Sequence, residues 1–390
     1  LPGEMLILDV ASLKVSVSRY WDLEPDISVS RQSEADVATQ FRELLTDSIR
    51  LRMRSDVPLG SCLSGGLDSS AIVCLARQIA DANAPYHVFT GRFPGTAADE
   101  WAYADEVVTA TGSTSHVTEP TAQGLVEDLE DFCWFNELPT GSTSQYAQWC
   151  VFRLAAENGV TVLLDGQGAD ELLGGYEQYF RPYLQALAET DAKISMAEQE
   201  AAIRERYPMA LEDAAETWKT RLPTGLRWRL AQWSGQGSDL LFGISSNLAS
   251  EVADANKRHL DRRFNALSAV LKDECFHSHL PTLLRYGDRN SMAHSREVRL
   301  PFCDHRLAEF SLSQPPRNLM GNTETKHLLR TGLKGVLPEK IRTRWNKQGF
   351  LPPQDDWLRG ALLPLAKEIF YGQVFAERGI WRVHWWRAAL

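Results

Sequence analysis

The sequence predicts an α/β fold: a parallel sheet with helices on both faces, continued by helical additions in the C-terminal half. Three observations carry that reading. Short apolar runs alternate with stretches of helical periodicity up to about residue 181. The run at 160–164 carries apolar side chains on both of its faces, as a strand covered on both sides requires. From about 182 to 290 only helical patterns remain, with Trp218, Trp228 and Trp233 as bulky packing residues.

In chain order, residues 5–9 and 13–20 alternate apolar and polar side chains and predict a short edge hairpin. Between 34 and 52, Val37, Phe41, Leu44, Leu45 and Ile49 recur at helical spacing. Residues 57–63 then read as a strand, 64–70 as a turn and 71–80 as a helix. A second strand is expected at 86–93, and a helix at 100–111 with Trp101, Ala104, Val107 and Val108 turned inward. A third strand follows at 115–118, helices at 124–135 and 145–157, and the apolar strand at 160–164. Residues 315–323, with paired prolines and Gly321-Asn322, read as a loop. Helix resumes from about 326 to 335. Near the end, Trp381, Trp385 and Trp386 suggest a helix packed on an apolar surface.

Composition excludes several classes. A chain of 390 residues with 44% hydrophobic and 24% charged residues is neither disordered nor collagenous. Forty-one Lys and Arg against 51 Asp and Glu give a net charge of −10, the wrong sign for a sequence-independent nucleic-acid binder. No stretch approaches the ~18 consecutive apolar residues of a membrane span, and no signal peptide opens the chain. The six cysteines stand singly, without a C-x-x-C pair, as reduced thiols of a cytoplasmic protein do. Cys275 with His277 and His279 lacks a fourth ligand at zinc spacing, so no metal is assigned there. The chain opens on Leu1 rather than Met, and the expectation is a portion of a longer protein.

The strongest local signal is Cys62-Leu63-Ser64-Gly65-Gly66-Leu67-Asp68-Ser69-Ser70, between an apolar strand and a helix. Gly65 and Gly66 let a ligand approach the main chain. Ser64, Ser69 and Ser70 offer hydroxyls, and the free N–H groups of a helix start favour an anion. Asp68 beside such a site makes sense if a cation such as Mg²⁺ bridges it to phosphate. The plain alternative is a glycine-rich turn with Asp68 as a helix cap. The G-x-x-x-x-G-K-[ST] pattern is absent, and Cys62 stands where a G-x-S-x-G nucleophile elbow needs glycine. Ser64 is therefore not a hydrolase nucleophile.

S-G-G-L-D-S-S after a buried strand resembles the pyrophosphate loop of the N-type ATP pyrophosphatases. Leu163-Leu164-Asp165-Gly166-Gln167-Gly168-Ala169-Asp170-Glu171, running on to Gly174-Gly175-Tyr176, narrows the likeness. It resembles a segment of the asparagine synthetases and the related β-lactam synthetases. So do Asp288-Arg289-Asn290-Ser291-Met292-Ala293 leading into Glu297-Val298-Arg299-Leu300-Pro301, and Lys326-His327-Leu328-Leu329-Arg330 followed by Lys347 in Asn346-Lys347-Gln348-Gly349-Phe350. The four motifs keep the family's order across roughly 55–355.

The resemblance implies an adenine nucleotide alpha-hydrolase-like core. The family's chemistry is adenylation of a carboxylate by ATP with Mg²⁺, release of pyrophosphate, and attack of an amine on the acyl-adenylate. By family match, Asp68 and Asp170 are the metal carboxylates, with a helix cap as the ordinary alternative for Asp170. Lys347 matches the lysine facing the reacting phosphate, and Lys326 one near the phosphates; surface lysines are the plain reading of both. Contacts to ATP carry over to Cys62, Leu63, Ser64, Gly65, Gly66, Ser69, Thr90, Asp165 and Gly166.

One position departs from the pattern. Asparagine synthetases have Glu where Gln167 stands and β-lactam synthetases have Tyr, and Asp165 replaces the usual Ser. Gln cannot act as a general base, although Gln167 can still orient ammonia or the acyl group.

The resemblance also implies an organisation: a connector at 1–30 that follows an N-terminal glutaminase domain, an ATP-pyrophosphatase core at 31–181, and a mainly helical part at 182–390 that completes the site. It implies a small carboxylate and ammonia as substrates, a glutaminase in cis or in trans, and leaves a homodimer open. Neither nucleic acid nor membrane is expected as a partner. Three functions stay in play: an asparagine-forming ligase acting on aspartate in amino-acid biosynthesis; the same chemistry on another acceptor, such as a sugar-acid amidotransferase or an intramolecular amide closure; and a non-catalytic nucleotide-binding scaffold.

Overall fold

The computed structural model describes residues 2–26, 28, 32–81, 84–190, 196–211, 243–245, 248, 260–346 and 349–390. The alternating residues near the start form β1 (Glu4–Asp9) and β2 (Lys14–Arg19), an antiparallel pair in register from Glu4–Arg19 to Asp9–Lys14. The sequence placed this hairpin at a sheet edge. Instead it is a two-stranded sheet of its own, with nearly every side chain exposed.

The main sheet is built from β3 (Leu59–Cys62), β4 (His87–Gly91), β5 (Thr114–Thr118), β6 (Val162–Leu164) and β7 (Glu297–Arg299). Their order is β5-β4-β3-β6-β7, and every pairing is parallel. Successive strands run outward from β3 to β5, and the chain then crosses back to lay β6 on the other side of β3. The crevice beyond the carboxyl ends of β3 and β6 is the place where such sheets bind ligands.

Helices cover the sheet as the periodicity requires. In α1 (Glu34–Arg52), Val37, Phe41, Leu45 and Ile49 lie on one buried face. Full burial of side chains of this size stabilises by roughly 1.5–3 kcal/mol each. Ser33 caps the helix by accepting from the Asp36 N–H at 3.2 Å. From Leu67 to Ala76 every residue of α2 (Leu67–Ile79) is buried, since the helix is wedged against the sheet beneath other elements. α3 (Trp101–Thr111) buries Ala104 and Val107 and stops at Gly112, whose φ is +63°.

Three expectations need correction. The helix expected at 124–135 is two helices, Ala122–Glu127 and Leu129–Asn136, the first ending at Asp128. The loop expected at 315–323 contains the helix Pro316–Met320, because proline is tolerated in a first turn where no N–H is needed. The segment carrying β7 was read as part of a helical region. Trp218, Trp228 and Trp233 lie outside the described residues.

The chain divides into two compact units: residues 1–120, 131–211 and 260–352 make one, and 121–130, 212–259 and 353–390 the other. The second unit has its own aromatic cluster. Phe370, Phe375, Trp381 and Trp386 lie with ring centroids 5.1–6.1 Å apart, and the Trp386 indole donates to the Gly243 carbonyl at 2.9 Å. Among the described residues, no helix is long and apolar enough to cross a membrane.

Candidate active site

The loop after β3 is held by its own hydroxyls. The Ser64 N–H donates to Ser69 Oγ at 3.2 Å, the two hydroxyls lie 3.1 Å apart, and the Gly66 N–H donates to Ser64 Oγ at 3.2 Å. Gly65 has φ +79°, and a Cβ there would lie 2.9 Å from Tyr103 Cβ. Both reasons require glycine. Gly66 is the N-cap of α2 and offers no side chain, so the first N–H groups of that helix keep room for a ligand.

Beside it runs the loop after β6. The two touch at Gly166, where a Cβ would lie 3.0 Å from both Asp68 Cβ and Ser69 N. The Asp165 carboxylate accepts from the Gly166 N–H at 2.6 Å. Burial raises its pKa, that hydrogen bond opposes the rise and the Asp68 charge adds to it, leaving it at about 6. Asp165 thus takes up its proton nearer neutrality than an exposed carboxyl does, while remaining mostly ionised at pH 7.

Asp68 and Asp170, 102 residues apart in sequence, converge on a single cation. Lys326 Nζ lies 2.6 Å from both Asp68 oxygens and 2.5 Å from Asp170 Oδ1. Its side chain is 3% exposed. Lys326 adopts the left-handed conformation (φ +53°) as N-cap of the helix His327–Gly332, an unusual state for a residue with a side chain. His327 ties that helix to α1, with Nε2 2.9 Å from Glu34 Oε1. Gly175 leaves room for the cluster, because a Cβ there would fall 1.9 Å from Asp170 Oδ1 and 2.3 Å from Lys326 Cε.

Hard carboxylate oxygens that already gather round one cation fit Mg²⁺, which takes one or two protein carboxylates and fills its remaining positions with water and phosphate. Asp68 and Asp170 would hold it.

Gln167 follows in the same loop. Its Oε1 is buried with no hydrogen-bond partner among the described residues, and Cys303 Sγ lies 3.8 Å from its backbone carbonyl. Thr90 donates its hydroxyl to the Leu63 carbonyl at 2.6 Å, bracing β4 against the loop strand. Cys62 and Leu63 end β3, and burial pushes the Cys62 thiol pKa well up, away from nucleophilic use. The structure therefore brings together Cys62, Leu63, Ser64, Gly65, Gly66, Asp68, Ser69, Thr90, Asp165, Gly166, Gln167, Asp170 and Lys326. Lys347 lies outside the described residues.

Sequence reasoning missed the buried Glu171, which accepts from Tyr176 Oη at 2.9 Å. Burial, and then the charge of Asp170, raise the pKa of its carboxyl. It also missed Arg344, three residues before Lys347, whose neighbourhood in the motif was the available signal.

A glycine-rich loop at a helix start, two carboxylates on one cation, and a sheet whose strand order reverses beside them give an α/β fold with an anion-favouring crevice at its switch point. The chain belongs to the asparagine synthase family, whose pattern matches residues 40–390. This is a family of ATP-dependent amide ligases. The chain is 28% identical to asparagine synthetase [glutamine-hydrolyzing] 1 of Bacillus subtilis, over 85% of this chain and 52% of that protein. It is 25% identical to amidase chry2 of Gibberella zeae, over 90% of this chain and 57% of that protein. It is 26% identical to amidase chyE of Penicillium rubens, over 95% and 60%. The chain thus spans about half the length of the curated relatives it matches. The solved U34-tRNA thiolase NcsA of Methanococcus maripaludis superposes on 67% of this chain and 82% of that one at 14% identity, with a TM-score of 0.28, too low to carry an argument.

Proposed function

We propose that the chain is the synthetase portion of an asparagine-synthetase-type ligase. An oxygen of the acceptor carboxylate, with L-aspartate as first candidate, attacks the α-phosphorus of ATP. The bond to the β-phosphate breaks and pyrophosphate leaves. The nitrogen of ammonia then attacks the acyl carbon, the bond to the AMP oxygen breaks with its electron pair leaving on AMP, and the nitrogen gives up a proton to the released phosphate or to water as the amide forms. The observation that carries this reading is the convergence of Asp68, Asp170 and Lys326 beside the phosphate loop.

Each residue has a physical task in it. The N–H groups at the start of α2, with the hydroxyls of Ser64 and Ser69, hold the leaving pyrophosphate. Main-chain groups of Cys62, Leu63 and Gly166, with Thr90 and Asp165, border the adenosine. Mg²⁺ on Asp68 and Asp170 would offset the anionic charge that builds at phosphorus. Lys347 supplies mobile positive charge toward the departing phosphates, and Lys326 adds positive charge beside the two carboxylates. Gln167 Oε1, a buried acceptor lacking a donor, suits an N–H of the incoming ammonia, which it orients without taking its proton.

Ammonia would come from glutamine through a glutaminase domain in cis or in trans. The bare faces of the β1–β2 hairpin, with Leu6, Leu8, Val10, Leu13, Val15 and Val17 all exposed, support a partner that covers them. A second reading keeps the chemistry and changes the acceptor. Gln167 in place of a base favours it, as does the mixture of synthetases and amidases among the relatives.

The experiment is pyrophosphate release from ATP and Mg²⁺ with L-aspartate, with and without ammonium, beside a control lacking acceptor. Aspartate-dependent release with asparagine as product, abolished in Asp68→Ala, supports the first reading. A folded, ATP-binding chain that ignores aspartate overturns it in favour of another carboxylate. No ATP binding at all would leave the scaffold reading without a nucleotide too.

A further inference from the structure

Arg344 is the most conspicuous polar group not used above. Its side chain is 7% exposed. Nη2 bonds the Glu100 carboxylate, and the guanidinium carbon stands 3.7 Å from the centroid of the Tyr103 ring. Nε and Nη1 are buried and have no partner among the described residues. A guanidinium has five donors in a fixed fork and cannot neutralise itself by losing a proton. Leaving two of its faces unmet in the interior is costly, and such a group calls for an explanation such as a bound anion.

The surroundings say which anion. Tyr103 and Glu100, the two residues that fix Arg344, are the same two that pack on Gly65 of the phosphate loop. A Cβ on Gly65 would lie 2.9 Å from Tyr103 Cβ and 3.1 Å from the Glu100 carbonyl oxygen. Arg344 is thus fastened to the outer wall of that loop and held rigid by ring stacking and an ion pair before any ligand arrives. Both bidentate edges of a guanidinium use Nη2, which Glu100 holds, so the unmet N–H groups on Nε and Nη1 point to different sides and can each donate to a separate phosphate oxygen.

We propose that Arg344 is a further phosphate-binding residue: the free N–H groups on its Nε and Nη1 bind the β- and γ-phosphates of ATP and then the pyrophosphate product. The inference rests on the reading of this site as an ATP-to-pyrophosphate ligase site. It adds a fixed charge that differs in kind from the lysines. Lys326 shares its charge with two carboxylates, whereas Arg344 has two donors left over and cannot follow a moving charge. Arg344 therefore acts on binding of the polyphosphate more than on the chemical step.

The test is calorimetric titration of the full chain with magnesium pyrophosphate and, separately, with AMP, for wild type, Arg344→Gln and Arg344→Lys. Pyrophosphate binding is expected to weaken by at least about tenfold in Arg344→Gln. Arg344→Lys, which keeps charge but loses the two spread donor nitrogens, should fall between that variant and wild type, and AMP should bind all three alike. Equal weakening of both ligands, or unchanged pyrophosphate binding in a variant with the wild-type circular dichroism spectrum, overturns the proposal. If Arg344→Gln does not fold, Arg344→Lys alone decides by the same ratio. A wild-type chain that binds AMP but not pyrophosphate defeats this inference and the ligase reading together; unchanged pyrophosphate binding in folded variants defeats this inference alone.

Discussion

Replacing Gly175 by alanine is the sharpest perturbation the site offers. The φ of Gly175 is not in the left-handed region, so the backbone itself accepts a side chain. The conflict is one of space. The new Cβ would stand 1.9 Å from Asp170 Oδ1, 2.3 Å from Lys326 Cε and 2.7 Å from Asp170 Cα. Non-bonded heavy atoms settle at about 3.5–4 Å, so the carboxylate and the lysine stem must each retreat by more than ~1 Å. The clash with Asp170 Cα moves backbone as well. Overpacking of this kind destabilises by about 1–3 kcal/mol, and a displacement of about 1 Å in a positioning group can cost ~100-fold in rate. Gly175→Ala is therefore expected to lower the urea midpoint by that energy and to reduce pyrophosphate release about 100-fold. Gly287→Ala is the control: it lies inside the helix His279–Ala293 with nothing within 4 Å of its Cβ position. It should gain ~0.5–1 kcal/mol from reduced chain entropy. Wild-type stability and rate in Gly175→Ala would refute the geometry assigned to the cluster.

Other expectations concern the charges that hold the elements in place. Asp304 caps its helix through the Arg306 N–H at 3.0 Å and pairs with Arg52 and Arg306 at 3.1 and 2.9 Å. Burial pushes its carboxyl pKa up, but the two arginines outweigh that and hold it well below the ordinary range. Its contribution is therefore complete above pH ~4 and lost as pH falls further, and Asp304→Asn should cost about 1–3 kcal/mol in a urea titration at pH 7. His327 has the opposite sign: burial lowers its pKa, Glu324 and Glu34 raise it more, and the net shift is upward. The stability it confers is present below pH ~6.5 and fades as pH rises through the higher folded value. Melting temperatures from pH 6 to 9 should fall less in His327→Gln than in wild type. His116 carries a pKa lowered by burial and by His87, whose Nδ1 lies 2.9 Å from its Nε2. His116 should therefore resist protonation, so stability drops as pH falls below ~6.5, and His116→Gln should remove that drop.

The sheet was legible wherever local pattern and burial agreed. β6 was expected because its side chains are all apolar, β3 and β4 because apolar residues such as Leu59, Val88 and Phe89 mark their runs, and the phosphate loop because its glycines and hydroxyls sit between strand and helix; β5 has only Val117 as an apolar residue. β7 was not, since two of its three residues, Glu297 and Arg299, are charged. Arg299 lies at a sheet edge where its guanidinium donates to the Arg52 and Arg54 carbonyls at 2.7 and 2.6 Å. Pro316–Met320 was hidden because proline signals a break and a helix start alike. The meeting of Asp68, Asp170 and Lys326 was available only through family likeness, since no local pattern reports which distant segments will touch. The left-handed backbone at Lys326 was not legible at all, because tertiary contacts, not its own preference, impose it.

The Lys326–Asp68 pair spans 258 residues. On a ribosome adding about 5–20 residues per second, the loop bearing Asp68 emerges some 13–50 s before its lysine exists. Asp170 follows Asp68 by 102 residues, so for the last 156, roughly 8–31 s at that rate, the two acidic segments wait without the cation that finally joins them. The cluster can therefore close only once Lys326 has been made, and a nascent chain cut short anywhere before Lys326 should carry a phosphate loop with no means of closing the cluster around it.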